Sequence, residues 1–185
     1  LRGRIGVAHT RWATHGGVTE SNAHPHLSGG RVAVIHNGII ENFQSIKDEL
    51  VAKGFEFQSE TDTEVIVHQI HHYLDQGQDL LAAVQSTVGD LEGAFALGVI
   101  SREEPGRLVA ARRGSPLVIG IADGERLIAS DVAALVSETR NFIFLEDGDV
   151  ADISHDSLTI YTPSGIVVER PVKESMVTAD ATDKG

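Results

Sequence analysis

The stretch Ala94-Phe-Ala-Leu-Gly-Val-Ile100 marks a change of period along the chain, and that change decides the fold class. Before it, apolar residues recur at the roughly 3.6-residue spacing of a helix face. From Gly93 onward they alternate or run continuously over strand lengths. Segments 107–111, 117–121 and 126–129 are separated by Pro105-Gly106, Gly114-Ser115-Pro116 and Asp123-Gly124, which predicts an antiparallel meander. A short helix is expected over 131–136, and strands resume over 142–145, 150–153, 158–161 and 166–169. Beyond Pro171 the composition is polar, and fraying is expected.

Working back from Gly93, three helices are predicted. Asn42 can cap the first, which buries Phe43, Ile46, Leu50 and Val51 and ends at Gly54. In the second, Thr61 and Glu64 have capping-box spacing; Val65, Ile66, Ile70, Tyr73 and Leu74 face inward, and Gly77 closes it. Asp79 caps a third through Leu80, Leu81, Val84 and Val88. Earlier still, 5–10 and 32–35 read as strands, the latter stopping at Asn37-Gly38, the strongest short turn signal present. Residues 11–31 read as a long loop, and a loop of that length in a compact domain is usually functional. Helices grouped beside many strands argue for an α+β or layered sandwich fold, not an alternating doubly wound one.

Composition narrows the function. A chain of 185 residues suits one domain with at most an appendage. Fifteen Lys and Arg against 27 Asp and Glu give a net charge of −12, which argues against nucleic-acid and anionic-membrane surfaces. With no cysteine, disulfides, thiolate metal sites and thiol catalysis by these residues are excluded. No apolar run approaches the roughly 20 residues of a membrane span, and no signal segment opens the chain, so a cytoplasmic protein is expected. The chain starts at Leu1 and its one methionine is Met176, as expected for a piece of something longer.

Three places can carry chemistry. The loop His9-Thr-Arg-Trp-Ala-Thr-His-Gly16, with Asn22-Ala-His-Pro-His26 behind it, concentrates hydrogen-bonding side chains and offers Arg11 as a two-pronged carboxylate clamp. An ordinary polar loop with Trp12 covering the core edge is the plain alternative. His36-Asn37-Gly38 places a side-chain amide beside a glycine N–H, a pair able to stabilise an oxyanion, although Asn-Gly is most often a simple turn. His68 and His72, one helical turn apart with His71 between, have metal-ligand spacing, but helical histidines more often face solvent or satisfy core hydrogen bonds. Glu103-Glu104 reads as a solvated turn, and Gly114-Ser-Pro-Leu lacks the spacing of a phosphate loop.

Four runs then occur in a telling order: His9-Thr-Arg-Trp-Ala-Thr-His-Gly16, Asn22-Ala-His-Pro-His26, His36-Asn-Gly-Ile-Ile-Glu-Asn42 and Ser59-Glu-Thr-Asp-Thr-Glu64. With Ala111-Arg-Arg-Gly-Ser-Pro-Leu117, Ile128-Ala-Ser-Asp131, the run over 142–149 and the terminal Asp183-Lys-Gly185, the whole chain resembles the glutaminase domain of the isomerising glutamine–fructose-6-phosphate aminotransferase family. That resemblance implies a class II glutamine amidotransferase domain, a four-layer αββα sandwich of the N-terminal nucleophile hydrolase type, here without its first strands. It implies L-glutamine as substrate, no cofactor and no metal, and ammonia passed to a sugar isomerase domain outside this chain. Residues 1–172 would form the amidotransferase domain and 173–185 the start of a linker.

Carried over residue by residue, the resemblance assigns Arg11 to the glutamine α-carboxylate, with Thr14 and His15 beside it. It assigns Asp62 to the α-ammonium, Asn37 and Gly38 to the oxyanion hole, and Trp12 to a gate over the site. His24 falls near the site without a firm role. The family's nucleophile is an N-terminal cysteine whose own α-amine serves as base, and these 185 residues contain none. A polypeptide of these residues alone is therefore expected not to hydrolyse glutamine, and to self-associate through a sheet edge left unpaired or to fold more loosely. Two competitors follow: a non-catalytic glutamine- or partner-binding module, and a histidine metal protein. Phosphoribosyl-pyrophosphate amidotransferase and asparagine synthetase use related domains, but the first and fourth runs favour the sugar-phosphate branch.

Overall fold

The computed structural model describes residues 4–10 and 16–176. The expected helices form α1 (Phe43–Ala52), α2 (Thr63–Asp75) and α3 (Leu80–Asp90). Two strands precede them, β1 (His26–Ser28) and β2 (Val32–Ile40). After them come β3 (Gly93–Ser101), β4 (Leu108–Arg113), β5 (Val118–Ala122), β6 (Glu125–Ala129), β7 (Asn141–Phe144), β8 (Val150–Ile153), β9 (Leu158–Tyr161), β10 (Val167–Val168) and β11 (Val172–Glu174). They build a seven-stranded sheet in the order β1-β2-β3-β4-β8-β9-β10 and a four-stranded sheet in the order β11-β7-β5-β6.

The period-2 rule explains why the deciding stretch reads as continuously apolar. In β3, Phe95, Leu97 and Val99 join the core under the helices, while Ala96 joins the core between the sheets, with Ile100 packed against it. Neighbouring β4 divides the same way, with Val109 and Ala111 toward the helices and Leu108 and Ala110 toward the second sheet. Both faces of the central sheet are thus covered, one by α1–α3 and the other by the four-stranded sheet. Over the outer face of that second sheet lies a 3-10 turn at Val132–Ala134, followed by Leu135 and Thr139 close above Gly120. The fold is the expected α+β layered sandwich, with a thin outermost layer among the described residues.

Several local expectations give way to tertiary structure. Segment 5–10 belongs to no strand, although Ile5 and Val7 pack against the inter-sheet core. The expected loop over 11–31 contains a 3-10 turn at Glu20–Asn22 and strand β1, which pairs with β2 through Ser28↔Val32. The meander is not one: after β4 the chain crosses to the second sheet for β5–β7 and returns as β8 beside β4. The tail beyond Pro171 does not fray at once, because β11 pairs with β7 through Val172↔Ile143 and Glu174↔Asn141. The boundary expected after 172 falls inside this strand.

The acidic turn is also more than solvated surface. Arg31 forks onto Glu103 at 2.6 and 2.9 Å and also reaches Asp75 at the end of α2. Arg107 bonds Asp152 at 2.8 Å through two nitrogens and pairs with Glu104, whose carboxylate also accepts the Leu80 N–H at 2.6 Å. These contacts tie the helical layer to the central sheet.

Candidate active site

Asn37 and Gly38 lie inside β2, not in a turn. Opposite β3 they pair as Asn37↔Ala96 and Gly38↔Phe95. Gly38 has φ +129°, and a Cβ placed on it would sit 2.0 Å from the Ala94 carbonyl oxygen. Only glycine permits that approach of two backbones, so the dipeptide marks a distorted strand where sequence chemistry alone reads a hairpin. Beside it, His9 Nε2 lies 2.6 Å from Asn37 Oδ1.

Three residues further along the same strand, the Ile40 N–H donates to Asp62 Oδ2 at 2.8 Å. Asp62 is 3% exposed and occupies the N-cap position of α2, but its side chain bonds the neighbouring strand and not the first turn of its own helix. The anionic side chain and the Asn-Gly pair are therefore fixed to one strand.

Glu64 does not close a capping box. Its carboxylate takes the Gln58 N–H at 2.8 Å, the Ser59 N–H at 2.7 Å and the Ser59 hydroxyl at 2.6 Å, shaping the loop that presents Asp62. Burial pushes the Glu64 pKa up, but His68, Ser59 and the two backbone donors outweigh it and hold it down at about 2. Asn42 is likewise diverted from capping α1: its amide bonds Asp90 O at 2.8 Å and the Glu92 N–H at 2.9 Å.

Thr63, the first residue of α2, gathers the histidines. Its hydroxyl lies 3.2 Å from His24 Nε2 and 3.0 Å from His36 Nδ1. The His24 ring sits 4.4 Å from that of His9 and 5.1 Å from that of His26, whose Nε2 meets Thr61 Oγ1 at 3.0 Å. His24 thus belongs to the group around Asn37 and Asp62. Sequence reading did not single out His9, Thr63 or the Ile40 N–H; the first two stand within the quoted runs, whereas no sequence signal marks a backbone N–H.

Arg11, Trp12, Thr14 and His15 lie outside the described residues. The chain that follows them is held by a latch. Asn22 donates to the Gly17 carbonyl at 3.0 Å and to Glu60 at 3.2 Å, and it accepts the Glu60 N–H at 2.9 Å. The Gly17 N–H donates to the Glu60 carboxylate at 3.2 Å, and that bond, followed by the one from Asn22, lowers the Glu60 pKa. Gly17 and Asn22 are thereby anchored to the loop that carries Asp62.

The remaining histidines go elsewhere. Ser28 Oγ lies 2.8 Å from His68 Nδ1 and 2.6 Å from His71 Nδ1, and the His68 ring packs between Phe55 and Phe57. His72 meets the Gln76 amide at 2.8 Å on the exposed side. His68 and His72, which have metal-ligand spacing, have separate partners, and no group of three or more metal-ligating side chains occurs among the described residues. No helix there is long and apolar enough to cross a membrane.

Two packed antiparallel sheets with a helical layer on one side are the fold of the N-terminal nucleophile hydrolase amidotransferases. Residues 9–137, more than half of the chain, match the family model described as a glutamine amidotransferase domain. This chain belongs to the glutamine amidotransferase domain family. It is 58% identical over 185 residues to the isomerising glutamine–fructose-6-phosphate aminotransferase of Idiomarina loihiensis and 55% identical to that of Shewanella oneidensis. All of the chain is covered in both cases, but it spans only 30% of each relative's length. Among solved structures it resembles the glutamine phosphoribosylpyrophosphate amidotransferase of B. subtilis, with a TM-score of 0.72 and 26% identity over 86% of this chain and 35% of that one. The structure of an allosteric regulatory enzyme of purine biosynthesis gives 0.69 and 25%, covering 92% of this chain and 35% of that one.

Proposed function

We propose that this domain hydrolyses L-glutamine to glutamate and ammonia within a longer isomerising glutamine–fructose-6-phosphate aminotransferase, whose sugar isomerase domain uses the ammonia to make glucosamine-6-phosphate. The observation that carries the proposal is the single strand on which Asn37, Gly38 and the Ile40 anchor of Asp62 stand together. Glutamine is a zwitterion, so its binding calls for one cationic and one anionic clamp. Arg11, with Thr14 and His15 beside it, takes the α-carboxylate; Asp62 takes the α-ammonium; Trp12 covers the site; and His24 lines it.

When a thiolate attacks the side-chain amide, the carbonyl oxygen becomes an oxyanion, and the Asn37 amide and Gly38 N–H donate to it. The 185 residues contain no cysteine, so the nucleophile comes from outside them. In this reading 173–185 lead toward the isomerase domain, the protein works in the cytoplasm, and copies of it associate.

The test is glutamate release by the full-length gene product, with and without fructose-6-phosphate, for the natural protein and for Asp62→Asn. The amide still accepts the Ile40 N–H but loses the charge that holds the ammonium. The expected result is release stimulated by the sugar phosphate, with KM for glutamine raised about 10- to 100-fold in the variant, the range of a charged hydrogen bond. A well-folded natural protein that binds glutamine without releasing glutamate shifts the reading to the non-catalytic binding module.

A further inference from the structure

We infer that His9 is a positioning residue for this reaction: it fixes the rotation of the Asn37 side-chain amide, so that an N–H and not the carbonyl faces the developing oxyanion. The inference rests on the proposed role of Asn37 and Gly38. A side-chain amide has a donor end and an acceptor end of nearly the same shape, and half a turn exchanges them. In β2 the backbone of Asn37 is held by pairing with Ala96, which leaves that rotation open. His9 Nε2, 2.6 Å from Asn37 Oδ1, closes it.

An amide oxygen only accepts, so Nε2 carries the proton in this arrangement. With the proton kept on Nε2, the flipped amide would bring an N–H against that donor and turn Oδ1 toward the oxyanion, replacing attraction with repulsion. His9 is itself backed by the His24 ring at 4.4 Å, and His24 is held by Thr63 at the start of α2. The same helix start that presents Asp62 therefore also steadies the residue that orients Asn37. Substrate clamping and oxyanion stabilisation share one support.

This role is separable from binding, because glutamine in its ground state carries no oxyanion. Glutaminase kinetics on the full-length gene product should be compared for the natural protein, His9→Ala, His9→Asn, His9→Gln, Asn37→Ala and the double variant His9→Ala/Asn37→Ala. Asn37→Ala is expected to lower kcat by about 10²- to 10³-fold, the loss typical of one oxyanion donor. His9→Ala is expected to lower kcat at least about 10-fold with KM for glutamine almost unchanged, since the interaction lost exists only in the transition state. His9→Asn, polar but too short to reach Oδ1, should match it if alanine impairs folding. His9→Gln, whose amide N–H can still donate, should restore most of the activity.

The decisive comparison is the double variant. If His9 acts through Asn37, removing it adds nothing once Asn37 is alanine. A natural kcat in both His9→Ala and His9→Asn overturns the inference, as does an equal loss from His9→Ala in the Asn37→Ala background. An unchanged kcat in Asn37→Ala is a distinct result: it overturns the oxyanion assignment and this inference with it.

Discussion

Glu64 shows how one buried side chain can be assigned the right place and the wrong partner from sequence. Its spacing from Thr61 promises a capping box, yet in the fold it gathers Gln58, Ser59 and His68. The four-residue rule sees only contacts within one helix end, and here the preceding loop turns back and supplies better donors. Because those donors hold the Glu64 pKa at about 2 against an ordinary 4.5, the charged form stabilises the fold. That contribution is complete above pH 4.5 and is lost as the pH falls toward 2. Replacing Glu64 by Gln removes an acceptor from buried donors and should lower stability at pH 7 by about 1–3 kcal/mol. Denaturant unfolding at a series of pH values checks this: the natural protein should lose stability across that acid range, and the variant should lose less.

At the level of the element, β2 carries the largest departure from sequence expectation. Asn-Gly flanked by apolar residues is the local signature of a hairpin, and nothing local contradicts it. What overrides it is β3, whose backbone lies so close at Ala94 that position 38 tolerates no side chain. Gly38→Ala should therefore destabilise the protein by at least about 2 kcal/mol, a strained φ compounded by a backbone collision. Gly30→Ala shares the strain of a positive φ but meets nothing within 4 Å, and should cost about 1 kcal/mol. Thermal unfolding of the two variants separates collision from backbone strain. The helices, by contrast, were legible in place and order, but not in every buried residue: Val51, expected inside α1, is 54% exposed, and α2 is buried on all sides from Thr63 to Ile70 because it packs between α1, α3 and the sheet. Their caps differ as well: Asp79 bonds the Ala82 N–H as expected, while Asn42 and Glu64 serve other elements.

Over the whole molecule, both sheets have an edge strand with exposed apolar residues. Val167 is 59% exposed on β10, one edge of the larger sheet, with Ile166 just before it 62% exposed, and Val172 is 56% exposed on β11, one edge of the smaller. Open strand edges with apolar side chains favour association, so light scattering of the purified chain should show a dimer or larger species. A monomer across a wide concentration range would count against it.

By itself the sequence determined the α+β class, the helical block, the strand-rich second half and the runs that carry the amidotransferase chemistry. Each of these depends on residue type and on spacing along a single element. Tertiary structure alone decided that the chain leaves the central sheet after β4, that Asn37-Gly38 is strand and not turn, and that Asp62, Thr63, His24 and His9 converge on it. Those outcomes depend on which backbones approach one another across dozens of residues, and periodicity within an element carries no record of its neighbours in space.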